Sequence, residues 1–293
     1  MEERKMNRFS SHPLYRKHDL DSAMSTLWTF YRERFMILFI TSFIMSLGVQ
    51  LVTLFFDFSE LVNLTDPMEV LDKLSGMIWP MMAVTLLSLL CITILHYYVI
   101  YSPLDSEVTI FVSLHRSLRY YLPYLIIMIL FSVFASMAMV LGLMLLVIGV
   151  VFALVYVMTL YLFFMPVLMA EGPDIANAIS RTFILAHRRF WSNIGWVAVF
   201  LLILIVVSMI LNSVIMIPFT GSMLKSITKP EEALNAVSFI QNPVYIVLSS
   251  LVNALFYPLI PLLGTILYFN GRAREEAVSE QEQVQDQDSG TWS

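Results

Sequence analysis

The side chains able to do chemistry are few and fall into two sets. The first is cationic. Arg34, Arg119, Arg188 and Arg189 stand among aromatic residues (YRERF, LRYY, HRRFW), each where a polar helical stretch meets an apolar run. A guanidinium at such a boundary is placed to meet an anionic phosphate headgroup or an acidic side chain. The second set lies inside apolar runs: Asn212, Asn253, and Pro258 and Pro261 three residues apart, with Gly264 just beyond. Broken helices line substrate sites in transporters, so these four mark a candidate cavity. Their plainer roles are hydrogen bonding between helices and kinks that improve packing.

Other reactive types are isolated. His96 (ILHYYVIY) is the one group within an apolar run that titrates near neutral pH, and with no acid partner it reads as an interfacial histidine. His12 and His18 lie in a polar segment without further ligands, and Cys91 reads as packing. The chain has no Gly-rich phosphate loop, Gly-x-Ser-x-Gly elbow or His-Glu-x-x-His helix. An enzyme is therefore not expected, no cofactor is implied, and a net charge of −5 argues against a nucleic-acid partner.

The elements that must position these residues are transmembrane. Of 293 residues 58% are hydrophobic and 13% charged, whereas a soluble domain is about 45–50% apolar and about 25% charged. Runs long enough to cross a roughly 30 Å hydrocarbon core predict six spans, at about 35–56, 77–101, 121–141, 147–169, 191–217 and 244–269. Residues 120–170 exceed one crossing and predict a hairpin turning near Gly142–Gly149, with Pro166 helping to end the fourth span. Fourteen Lys and Arg fall on the side of both termini and three (Lys73, Lys225, Lys229) on the other, which predicts cytoplasmic termini. Residues 1–19 read as a polar cytoplasmic segment with no cleavable signal, 20–270 as one membrane domain, and 271–293 as a disordered acidic tail. In the external connections, Asn63-Leu64-Thr65 matches a glycosylation acceptor and residues 231–240 (EEALNAVSFI) suggest a short amphipathic helix.

The approaches to spans 1, 3 and 5 look alike. Ser25–Ile40, Val112–Ile127 and Arg181–Trp196 each carry apolar residues at helical spacing, then Arg beside aromatics, then an apolar run. The pattern predicts three units, each an interfacial amphipathic helix followed by a transmembrane hairpin, with Arg-to-Arg offsets of 85 and 70 residues.

The run LYLFFMPVLMAEGPDIANAISRTFILAHRRFW (Leu160–Trp191) and the closing ILYFNGRAREEA (Ile266–Ala277) resemble bacterial integral-membrane families grouped around the membrane domain of glycerophosphodiester phosphodiesterase and its stand-alone six-span relatives. The resemblance implies a six-span all-α fold and no catalytic residues, because that enzyme's catalytic part is a separate soluble domain.

Together these readings predict an all-α, polytopic six-helix transmembrane bundle in a bacterial cytoplasmic membrane. The expected role is non-enzymatic: organising lipids or partner proteins through Arg34, Arg119, Arg188 and Arg189 at the cytoplasmic face. The alternative is a transporter or lipid-translocating protein with a cavity at Asn212, Asn253, Pro258 and Pro261.

Overall fold

The computed structural model describes residues 9–52, 54, 67–220 and 241–290. Asn63-Leu64-Thr65, residues 231–240, Lys225 and Lys229 lie outside them. The described residues form nothing but helices and their connections: α1 Leu20–Glu33, α2 Phe35–Val52, α3 Pro67–Tyr101, α4 Ile110–Met144, α5 Leu146–Glu171, α6 Ile175–Arg188, α7 Phe190–Met216, α8 Pro243–Phe256 and α9 Leu259–Gly290. Six stretches are long and apolar enough to cross a membrane, one per predicted span. The protein is an all-α, multi-pass integral membrane protein.

Where the predicted single membrane domain was expected, the chain forms two compact units. The first comprises 1–34, 93–200 and 259–293, and the second 35–92 and 201–258. In the second, α2 and α8 pack against each other with small side chains buried on both, Ser42 and Ser46 on one and Ser249 and Ser250 on the other, and Gln50 Nε2 donates to Ser249 Oγ at 3.0 Å. Between membrane helices, where lipid is as apolar as leucine, close approach of small residues supplies the dispersion energy.

The first unit is built around α5 and α9. Leu160 to Leu168 of α5, with only Tyr161 among them part-exposed, and Leu262 to Phe269 of α9 are buried on every side, as helices apolar all round must be. The two cross where a Cβ on Gly264 would stand 2.5 Å from the Leu162 carbonyl oxygen. The α4–α5 hairpin turns at Leu145, inside the predicted window; Leu146 takes a left-handed φ of 59°. Gly142 and Gly149 let the two legs touch there, a Cβ on Gly142 falling 2.8 Å from the Gly149 oxygen.

Of the predicted repeat, the capped helical entrance recurs three times, with a firmer register than arginine spacing gave. Asp19, Thr109 and Asp174 cap helices by accepting from the backbone N–H three residues on, those of Ser22, Val112 and Asn177. Aligned on these caps (19, 109 and 174), the offsets are 90 and 65 residues rather than 85 and 70. The fourth, eighth and eleventh residues after the cap are buried in all three: Ala23, Leu27 and Phe30; Ser113, Ser117 and Tyr120; Ala178, Thr182 and Leu185. The seventh reaches back to a charged residue just before the cap. Arg16 donates to Thr26, Arg116 pairs with Asp105 at 3.6 Å, and Arg181 pairs with Glu171 at 3.1 Å. The first and third helices stop at an arginine, Arg34 and Arg189, and the chain re-enters a helix at Phe35 and Phe190. The middle one never stops. It runs unbroken into the span through Pro123, so no separate interfacial helix exists there.

The sixth span is broken as its prolines predict, into two helices separated at Tyr257–Pro258. Three further expectations need correction. Residues 9–18 are not simply polar: Phe9, His12, Leu14 and His18 are buried. Pro166 does not end the fourth span, which runs on to Glu171 with that proline fully inside it. The tail is no disordered segment through Gly290, since α9 continues to that residue; near its start Arg272, Arg274 and Glu275 are tied to other elements, and that pairing offsets part of the cost of ordering it.

Candidate functional site

Of the four predicted arginines, the fold brings two together. The corner between α6 and α7 forms because Arg189 leaves helical geometry (φ −130°, ψ 55°) after fourteen residues of α6. This corner sets Arg188 and Arg189 on the wall of a hollow of about 320 Å³, whose other cations are Lys17 and Arg274. Lys17 comes from the N-terminal strap at 9–18. His18, the next residue, donates its N–H to Asn270 Oδ1 at 2.9 Å, and Arg274 holds the His18 carbonyl at 2.6 Å. The floor is apolar, made by Phe163, Leu185 and Leu267. Among the described residues, no carboxylate lines the hollow.

The four cations are not equally engaged. Arg188 pairs with Glu275 at 2.8 Å. Arg274 gives its other bonds to neutral acceptors, Asn270 Oδ1 among them at 3.0 Å, and feels the positive charge of Arg189 with Asp19 partly opposing. Among the described residues, neither Lys17 nor Arg189 has a carboxylate partner within ion-pair distance. Both are exposed. Such an arrangement attracts an anion, and its apolar floor suits one joined to a hydrocarbon.

An ionic cluster fixes the wall behind Arg188. Arg181 Nε reaches both oxygens of Glu171, at 3.1 and 3.2 Å, and its NH2 holds Glu275. Arg272 meets Glu275 at 3.1 Å, and the Tyr268 hydroxyl donates to Glu171 at 3.2 Å. Three arginines and two glutamates thereby join the end of α5, α6 and the polar part of α9. Asn193 of α7 closes the corner by donating to the Leu185 and Ala186 carbonyls at 3.3 and 2.9 Å.

The other two predicted arginines are occupied elsewhere in this unit. Arg34 donates to Ser102 Oγ at 2.6 Å and lies 4.9 Å over the Phe30 ring. Arg119 bonds the Tyr120 hydroxyl, stacks 4.5 Å over that ring, and lines a smaller hollow of about 230 Å³ beside Tyr101 and Gly172. Each guanidinium thus gives one hydrogen bond to a protein hydroxyl and one face to a ring.

The predicted cavity residues fall in two units, Asn212, Asn253 and Pro258 in the second and Pro261 in the first. Asn212 is exposed and donates to the Ser208 carbonyl one turn back on its own helix at 2.8 Å. Asn253 accepts, through its carbonyl, the N–H of Tyr257 at 2.9 Å, where α8 ends. Pro258 is buried at the break and Pro261 is buried in α9. None of the four lines any hollow described here. His96 and Cys91 are buried, and no group of three or more metal-ligating side chains occurs among the described residues. An apolar groove of about 780 Å³ runs along the α4–α5 hairpin between Phe134 and Tyr156.

Sequence reasoning missed Lys17 and Arg274. Lys17 precedes a helix cap by two residues and carries no pattern of its own. For Arg274 a signal existed: Leu267, Asn270, Arg274, Val278 and Gln281 recur at spacings of three and four, one face of a helix, and all line the hollow.

No family model, curated protein or solved structure matches the chain.

Proposed function

We propose that this integral membrane protein is a non-enzymatic component of a bacterial cytoplasmic membrane that holds anionic lipid at the four-cation hollow, and so organises lipids or partner proteins at the cytoplasmic face. The observation that carries the reading is the hollow itself, with four cations, no carboxylate among the described residues of its lining, and an apolar floor. The orientation rests on charge: the fourteen Lys and Arg on the side of both termini include all four of these cations. The break at Tyr257–Pro258 is the feature that favours transport instead. Against it, Asn212 spends its amide on its own helix.

The test is the lipid retained through mild-detergent purification. Lys17→Gln combined with Arg189→Gln leaves the Glu171–Glu275 cluster intact, and should lower retained anionic phospholipid while zwitterionic lipid stays constant. Unchanged anionic lipid overturns the proposal.

A further inference from the structure

We infer that the hollow selects a dianionic phosphate at the end of a lipid, a phosphomonoester or diphosphate, over a phosphodiester headgroup of single charge. This rests on the lipid-holding role proposed above and names its ligand class.

The argument begins with charge. Arg188 belongs to the cluster of three arginines and two glutamates, which keeps one positive charge, and beside it Lys17, Arg189 and Arg274 are cations whose bonded partners, where they have them, are neutral. A phosphodiester brings one negative charge and two free oxygens, and would leave two of the three cations uncompensated. A phosphomonoester brings close to two charges near neutral pH and three free oxygens, one for each cation. Geometry agrees. Arg274 is held by Asn270 Oδ1 and the His18 carbonyl, so its fork is preorganised, and Lys17 is placed by the neighbouring His18–Asn270 bond. The hollow of about 320 Å³ holds the equivalent of about ten waters, room for a phosphate and the first carbons beyond it. The Phe163, Leu185 and Leu267 floor favours a hydrocarbon continuation over a free, fully hydrated phosphate.

The repeat sharpens the point. Arg34 is the equivalent of Arg189 in the first unit of the repeat, ending a helix of the same length, yet it spends itself on Ser102 and Phe30. Only the third corner keeps its arginine available among the described residues.

The experiment reconstitutes the full-length protein in phosphatidylcholine nanodiscs doped with either phosphatidic acid or phosphatidylglycerol, and reads bound lipid by native mass spectrometry. Phosphatidic acid should bind at least about tenfold tighter, the effect of one additional charge-assisted bond. Lys17→Gln and Arg189→Gln, both at exposed positions, should each abolish that preference with the melting temperature unchanged. Equal affinity for the two lipids overturns this inference and leaves the proposed function standing. Binding of neither overturns both. A preference that persists in both variants places the selectivity elsewhere and overturns the assignment. Inorganic phosphate in millimolar excess should not displace phosphatidic acid; displacement would make the ligand a free phosphate and overturn the lipid half.

Discussion

Acid should loosen the N-terminal strap, and His12 sets the amount. Its ring is 2% exposed and packs against Phe30 and Phe269. Nε2 donates to the Val99 carbonyl at 3.2 Å, and Nδ1 accepts the Leu14 N–H at 3.1 Å. Both nitrogens are thus used by the neutral ring, and a second proton on Nδ1 would have to expel the Leu14 N–H. Burial first, and then the nearby Arg34 charge, outweigh the Val99 bond and lower its pKa from 6.5 to about 4. Above pH 6.5 the ring is neutral whether the strap is docked or open, so docking is unaffected. Between 6.5 and 4 the open strap binds a proton that the docked one refuses, and docking weakens as pH falls. The loss reaches about 2.5 kcal/mol at pH 4.5, roughly seventyfold in opening, and about 3 kcal/mol once pH is below 4. Burial lowers the His18 pKa too, so its contribution has the same sign. The assay is hydrogen-exchange protection of residues 13–18, corrected for intrinsic exchange. Protection should be flat from pH 8 to 7 and fall steeply below 6.5. His12→Gln should flatten most of that fall. Protection that stays constant down to pH 4.5 would refute the reasoning. Because the strap carries Lys17, lipid held at the hollow should weaken over the same range.

Three other perturbations follow from the packing of the first unit. Gly264→Ala drives a Cβ against a backbone oxygen that cannot swing aside, and should cost about 3 kcal/mol in denaturant unfolding of the detergent-solubilised protein. A cost under about 0.5 kcal/mol would mean the α5–α9 crossing is looser than described. Arg181→Gln leaves Glu171 and Glu275 short of a partner at 14–18% side-chain exposure, and should cost about 2 kcal/mol after partial screening. Arg181→Lys should recover less than half of it, since an ammonium cannot span both carboxylates. Asp174→Ala removes the cap on α6 and should cost about 1 kcal/mol, seen as faster exchange at Asn177.

Much of this fold was legible because the membrane imposes a length and a polarity on every crossing. Six apolar runs gave six spans, the Gly142–Gly149 window gave the turn at Leu145, and Pro258 marked the interruption in the last span. The repeat was visible as arginines beside aromatics, but arginine sits wherever a chain meets an interface. The caps Asp19, Thr109 and Asp174 carry the true register, because only a residue that accepts a backbone N–H can fix where a helix begins. What escaped depended on partners distant in the chain. The polar end of α9 looks unable to fold by composition, yet Glu275 is ordered by Arg181 and Arg188, which precede it by some ninety residues. Lys17 and Arg274 are 257 positions apart, and nothing local announces that they share a wall. Asn212 shows the opposite case: a polar side chain in a span looks costly until its own helix supplies an acceptor, as Ser208 does here.

Photolabelling tests the central claim most directly. A phosphatidic acid carrying a photoreactive group beside its phosphate, incorporated with the protein in phosphatidylcholine nanodiscs, would be irradiated and its adducts mapped by peptide mass spectrometry. The account predicts adducts concentrated in residues 185–193 and 267–278, displaced by excess unlabelled phosphatidic acid and lost in the Lys17→Gln/Arg189→Gln double variant. Adducts spread along the spans, undisplaced by the unlabelled lipid and unchanged in that variant, would contradict it.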